Sequence, residues 1–140
     1  MKPPRVLLAD DHRPLIERLT VLLQPTFEIV GTVGNGAELV SEALRLQPDV
    51  IVSDISMPVL NGIDAAHKLR DAGSTAKVIF LTLHQGVDFV HACLAEGACG
   101  YVVKLDMATD LIPAIREALC GRQFVSPSVS KHPPNLKRGA

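Results

Sequence analysis

The sequence predicts an α/β protein, a parallel sheet with helices on both faces. Short apolar runs without polar alternation, such as Val50-Ile51-Val52-Ser53, read as strands buried on both faces. Between these runs lie segments whose apolar residues fall at helical spacing. Stop residues such as Pro25, Pro48 and Gly73 separate the two kinds of segment. Five strands alternating with five helices give a (βα)5 chain and a five-stranded parallel sheet.

The first strand runs from Arg5 to Ala9 and ends at Asp10-Asp11. From Arg13 to Leu23, Leu15, Ile16, Leu19, Leu22 and Leu23 define a helix, with Pro14 in its first turn. Residues 27–33 alternate Phe27, Ile29 and Gly31 against Glu28, Val30 and Thr32, the pattern of a strand nearer the sheet edge. Asn35 with Glu38 three residues on resembles a capping box, and the helix it opens carries Leu39, Val40, Ala43, Leu44 and Leu46.

The central strand follows and ends in a carboxylate, Asp54, with turns expected at Met57-Pro58 and Asn61-Gly62. A helix over 63–72 closes at Gly73. Lys77 to Thr82 is a fourth strand, and residues 87–96 a more weakly patterned helix ended by Gly97. Gly100 to Val103 is a fifth strand ending at Lys104, and Asp106 to Cys120 a fifth helix. Its Pro113 leaves two readings. With Asp110 as cap the proline lies in the first turn; with Asp106 as cap it is interior and should kink the helix. Residues 1–121 thus form one domain, and 122–140, with Pro127, Pro133 and Pro134, read as a linker or disordered tail.

Composition narrows the function classes. Hydrophobic residues make up 47% and aromatics 4%, so the core is aliphatic. A formal charge of -1 offers no basic field for nucleic acid, and no apolar run approaches the ~20 residues of a membrane span. Met1-Lys2-Pro3-Pro4 leads straight into a strand and is no signal peptide. Cys93, Cys99 and Cys120 form neither a disulfide framework nor a zinc pattern, and fit reduced thiols in a cytoplasmic protein. His12, His67, His84 and His91 show no zinc-like spacing with a third ligand, and are read as loop or exposed residues.

Chemistry enters at the strand ends. Strand one ends at Asp10-Asp11, strand three at Asp54, strand four at Thr82 and strand five at Lys104. All lie on one edge of a parallel sheet, where open α/β proteins place their working groups. Singly each is commonplace: a helix cap, or a polar residue before a turn. Jointly, three carboxylates repel unless a cation joins them, and hard oxygen ligands suit Mg²⁺. With the Lys104 charge and the Thr82 hydroxyl, the set reads as a phosphoryl-transfer site.

Over residues 4–121 the chain resembles the response-regulator receiver domains of two-component signalling. The matching stretches are Val-Leu-Leu-Ala-Asp-Asp-His12, Asp54-Ile-Ser-Met-Pro-Val-Leu-Asn-Gly62, Leu-Thr82 and Gly-Tyr101-Val-Val-Lys104. The resemblance implies a flavodoxin-like strand order 2-1-3-4-5 and phosphoryl transfer from a histidine kinase to Asp54. It implies that Asp11, Asp54 and the Ser56 carbonyl bind Mg²⁺, with Asp10 acting through water. It assigns Thr82 and Lys104 to the phosphoryl oxygens, and Tyr101 to an aromatic switch coupled to Thr82. Leu105 stands where many receivers have proline; a cis bond costs about 2.5–4 kcal/mol there, so the geometry beside Lys104 stays open. This feature, with Gly-Tyr-Val-Val-Lys and the ending Gly-Arg-Gln-Phe-Val-Ser-Pro127, resembles the NarL/FixJ-type subfamily. There a helix-turn-helix DNA-binding domain follows a linker like the one in which this chain stops. The implied output is dimerisation or release of such a domain, with DNA bound only through it.

Other classes fit less well. A haloacid dehalogenase-type phosphatase needs Asp-x-Asp after strand one, where this chain has Asp10-Asp11-His12. A flavodoxin needs a hydroxyl- and glycine-rich loop there and aromatics for its flavin, and the chain has no Trp and one Tyr. A stand-alone receiver acting by protein contact, or an adaptor that is never phosphorylated, shares the fold.

Overall fold

A computed structural model describes residues 2–83, 90–91, 94–95 and 97–130. The strands are β1 (Arg5–Ala9), β2 (Glu28–Val33), β3 (Val50–Ser53), β4 (Lys77–Thr82), β5 (Gly100–Val103) and β6 (Phe124–Val125). The helices are α1 (Arg13–Leu23), α2 (Gly36–Leu46), α3 (Gly62–Asp71), α4 (Met107–Leu119) and a short α5 (Pro127–Ser130). The helix expected over 87–96 lies largely outside the described residues; within it Val90, His91, Leu94 and Ala95 are helical.

The sheet is parallel throughout, in the order β2-β1-β3-β4-β5-β6. The expected order 2-1-3-4-5 is present, but the count of five strands is corrected to six. The additional strand is only Phe124 and Val125, between Arg122-Gln123 and Ser126-Pro127, too short for periodicity to reveal. Its partner decides it: Phe124 and Val125 pair with Gly100 and Tyr101. The first residues of the expected linker thus belong to the sheet.

Alternation along each buried strand sends side chains to both faces. Val6 and Leu8 of β1, Val50 and Val52 of β3 and Ile79 and Leu81 of β4 pack with Leu19 of α1 and Leu111 and Ile115 of α4. Leu7, Ala9 and Ile51 point the other way, onto Leu39 and Ala43 of α2 and Ala65 and Leu69 of α3. A third cluster on that face holds Phe80, Tyr101, Val103 and Val129. Among the described residues no helix is long and apolar enough to cross a membrane.

Helix ends follow their chemistry with two adjustments. Asn35 caps α2 by accepting the Glu38 N–H at 2.8 Å, while Glu38 reaches back to the N–H of Gly34, one residue before the cap. Asn61-Gly62, expected as a turn, instead opens α3: the Asn61 side chain accepts the Asp64 N–H at 2.8 Å. Gly73, at φ +87°, ends α3, with the Ser74 N–H returning to the Leu69 carbonyl. Asp106 precedes α4, so Pro113 is interior. Its missing N–H removes the helical donor that the Thr109 carbonyl would otherwise accept, and Pro113 lies on the exposed side of the helix. The Lys104–Leu105 bond is trans and opens a single 3-10 turn over Lys104–Asp106.

Candidate functional site

Parallel pairing brings the strand ends to one edge. Ala9 of β1 is level with Ser53 of β3, and Ser53 with Phe80 of β4. Asp10 and Asp54 therefore leave adjacent strands side by side. The Asp54 N–H donates to the Ala9 carbonyl at 2.8 Å and the Asp10 N–H to that of Val33 at 3.0 Å. Asp10 is 4% and Asp54 8% exposed, low for carboxylates. One oxygen of each is held locally. Asp10 Oδ1 accepts the His12 N–H at 2.8 Å, and Asp54 Oδ1 the Ile55 N–H at 2.7 Å. Asp11 does not cap α1; it stays exposed, with a carboxylate oxygen within 4.8 Å of those of Asp10 and Asp54.

Lys104 supplies the countercharge. Its Nζ lies 3.1 Å from Asp10 Oδ2 and 3.2 Å from Asp54 Oδ2, with the side chain only 17% exposed. Asp10 Oδ2 is fully buried and accepts no well-directed hydrogen bond, so its contact with Lys104 is an ion pair without that directionality. Burial raises the Asp54 pKa above the usual carboxylate value; the Asp10 charge adds to this and Lys104 opposes it. Burial works against the Lys104 ammonium, but its contact with Asp10 and the attraction of both carboxylates outweigh it and raise its pKa.

The other expected residues lie on β4, on β5 and in the loop after β3. Thr82 ends β4 and is 2% exposed. Ser56 is exposed in the loop between β3 and α3. Tyr101 lies wholly within the third core cluster, beside Phe80 and Val103. His84 and Cys93 fall outside the described residues; His12 and His67 are exposed and His12 lies beside the cluster without joining it.

Two glycines matter more than sequence reading indicated. A Cβ on Gly62 would overlap the Asp54 carbonyl, and one on Gly36 the Leu60 carbonyl. The loop that carries Asp54 and Ser56 is thus seated between two bare backbones. Asn61-Gly62 hinted at this only as a turn signal. At Val59 the same loop has φ +71°, an outlier for a β-branched residue.

The fold and the site together define a parallel α/β protein whose strand ends gather an acid–lysine pocket. The family described as response regulator receiver domain matches residues 6–116, and the chain belongs to it. It is 35% identical over 133 residues to the nitrate/nitrite response regulator protein NarP of Escherichia coli, covering 93% of this chain and 61% of that one. Among solved structures it resembles a LuxR-family two-component response regulator from Aurantimonas, with TM-score 0.87 and 30% identity over 93% of this chain and 94% of the other. It also resembles RcsB in a structure of two RcsB dimers bound to two parallel DNAs, with TM-score 0.87 and 25% identity over 99% and 72%. The chain spans about 60% of the length of the curated relatives it matches.

Proposed function

We propose that this receiver domain is a phosphorylation-controlled switch whose phosphoacceptor is Asp54. The observation that carries the reading is the Lys104 ammonium held between two buried carboxylates, with Asp11 beside them. In the step proposed, an Asp54 oxygen attacks the phosphorus of a phosphohistidine on a histidine kinase. The O–P bond of an acyl phosphate forms, the N–P bond breaks, and the imidazole leaves with its electron pair. Thr82 and Lys104 meet the phosphoryl oxygens as donor and point charge.

The site suits Mg²⁺. Its donors are hard oxygens, and Asp10 Oδ2 is buried without a directed hydrogen bond. Asp11, Asp54 and the Ser56 carbonyl would hold the ion, with Asp10 acting through water; its charge would offset repulsion between the carboxylates and the entering phosphoryl group. The domain is then a signalling device rather than an enzyme acting on other molecules.

The relatives support a reading of the output. RcsB is described as dimers on DNA, and NarP as a response regulator. On that likeness, phosphorylation drives homodimerisation or frees an attached helix-turn-helix domain, and DNA is bound only through that domain. A kinase partner of this kind implies a cytoplasmic protein.

Acetyl phosphate with Mg²⁺ should add one phosphoryl mass to the protein, and excess EDTA should abolish the addition. Labelling of Asp54→Asn, or undiminished labelling in EDTA, refutes the assignment.

A further inference from the structure

The stretch after β6 is tied to the residues on either side of Lys104. Ser126 has no exposed surface; its N–H donates to the Tyr101 carbonyl at 2.9 Å and its Oγ accepts the Val103 N–H at 3.0 Å. Ser128 Oγ donates to Asp106 Oδ2 at 2.7 Å. Val129, 3% exposed, packs in the Tyr101 cluster. These contacts bracket Lys104, one at the residue before it and one at the end of the 3-10 turn it begins.

The local physics explains why a serine serves here. Backbone pairing of this segment with β5 runs as far as the Ser126 N–H, and the Ser126 carbonyl accepts the Val129 N–H instead of one from β5. The N–H of Val103 is buried and needs an acceptor, which the Ser126 hydroxyl provides in place of a strand carbonyl. Pro127 fixes φ between the two serines and opens α5, the helix that carries Ser128.

We propose that Ser126 and Ser128 are positioning residues for Lys104, and that through them the state of the acidic pocket reaches the segment that follows β6. The proposal rests on the reading of Lys104 as a group that answers to charge at Asp54. Lys104 now divides its ammonium between Asp10 and Asp54. A change of charge at Asp54 alters that division, and a shift of the Lys104 backbone is transmitted at Val103 to Ser126 and at Asp106 to Ser128. Differential contacts of this kind are what bias two states.

The test is amide hydrogen exchange followed by NMR on the 140-residue chain, comparing the parent with Asp54→Asn. The expected result is a change in protection at the Val103 and Ser126 amides when residue 54 loses its charge. Ser128→Ala should lose that response, and Ser128→Thr, which keeps the hydroxyl, should restore it. A merely structural role would shift protection equally whichever residue stands at 54. Should Ser126→Ala fail to fold, the half-buried Ser128 still decides the matter. Identical protection in the parent and Asp54→Asn, or a full response in Ser128→Ala, overturns the proposal. Acetyl phosphate labelling is scored separately. Failure to label with the exchange response intact removes the phosphoacceptor reading and leaves the coupling; labelling without the response does the reverse.

Discussion

Gly62 is packed so tightly on Asp54 that even a methyl group at 62 would overlap the Asp54 carbonyl oxygen and press on the Ser53 hydroxyl. The Gly62 N–H also donates to the Ile55 carbonyl at 2.7 Å, so the start of α3 and the end of β3 share one small volume. The β3 side of this contact is held by its place in the middle of the sheet. Gly62→Ala should therefore lose about 3 kcal/mol in urea unfolding. A loss within 0.5 kcal/mol of zero, the usual range for surface changes, would show that the loop relaxes freely.

Asp54→Asn should raise Tm at pH 7 in metal-free buffer. Burial, then repulsion from Asp10, raises the folded-state pKa of Asp54 above its unfolded value. The native state therefore keeps the Asp54 proton more firmly than the unfolded chain does. That stability is fully present below the unfolded pKa and is lost as pH rises through the raised folded pKa. Asn is neutral throughout and still accepts the Ile55 N–H. The gain over the parent should be a few degrees at neutral pH and should fade as pH falls through the carboxylate range. An equal or lower Tm at pH 7 would contradict the sign.

Val59 holds φ +71° while 81% exposed, so no packing at its own side chain compensates for the left-handed backbone. Such strain costs about 1–3 kcal/mol. Val59→Asn should stabilise the domain by about 1 kcal/mol, since Asn tolerates this region better. Val59→Gly should gain less, because glycine also loosens the unfolded chain. The check is the urea midpoint at unchanged slope; no gain from Asn would mean the loop relieves the strain elsewhere.

Thr82→Ala should still be labelled on Asp54, since the proposed phosphoacceptor is untouched. It should lose the phosphorylation-dependent NMR shifts at Tyr101, because a new acceptor at Asp54 finds no hydroxyl to draw. Shift changes matching the parent's would separate Tyr101 from Thr82.

Asp11→Ala should raise the Mg²⁺ concentration needed for labelling beyond the roughly 10–100-fold that loss of an outer partner costs. Asp11 is the exposed member of the cluster and the one without a role in the backbone turn, so its removal should leave Tm nearly unchanged. Unaltered Mg²⁺ dependence would take Asp11 out of the ligand set.

The sequence by itself determined the alternation of strands and helices, the parallel sheet and the strand ends at Asp10, Asp54, Thr82 and Lys104. Each of these rests on local periodicity and stop residues, which report which face of a segment must be buried. Tertiary structure decided the rest. It set Lys104 between Asp10 and Asp54, because that distance depends on which strands are neighbours. It made Phe124–Val125 a strand and buried Ser126, because two residues have no period of their own and take their conformation from the open side of β5. It placed Pro113 inside α4, where local cap signals were balanced between Asp106 and Asp110. It required Gly36 and Gly62, because close approach of one backbone to another leaves no trace in pattern until the two are folded together.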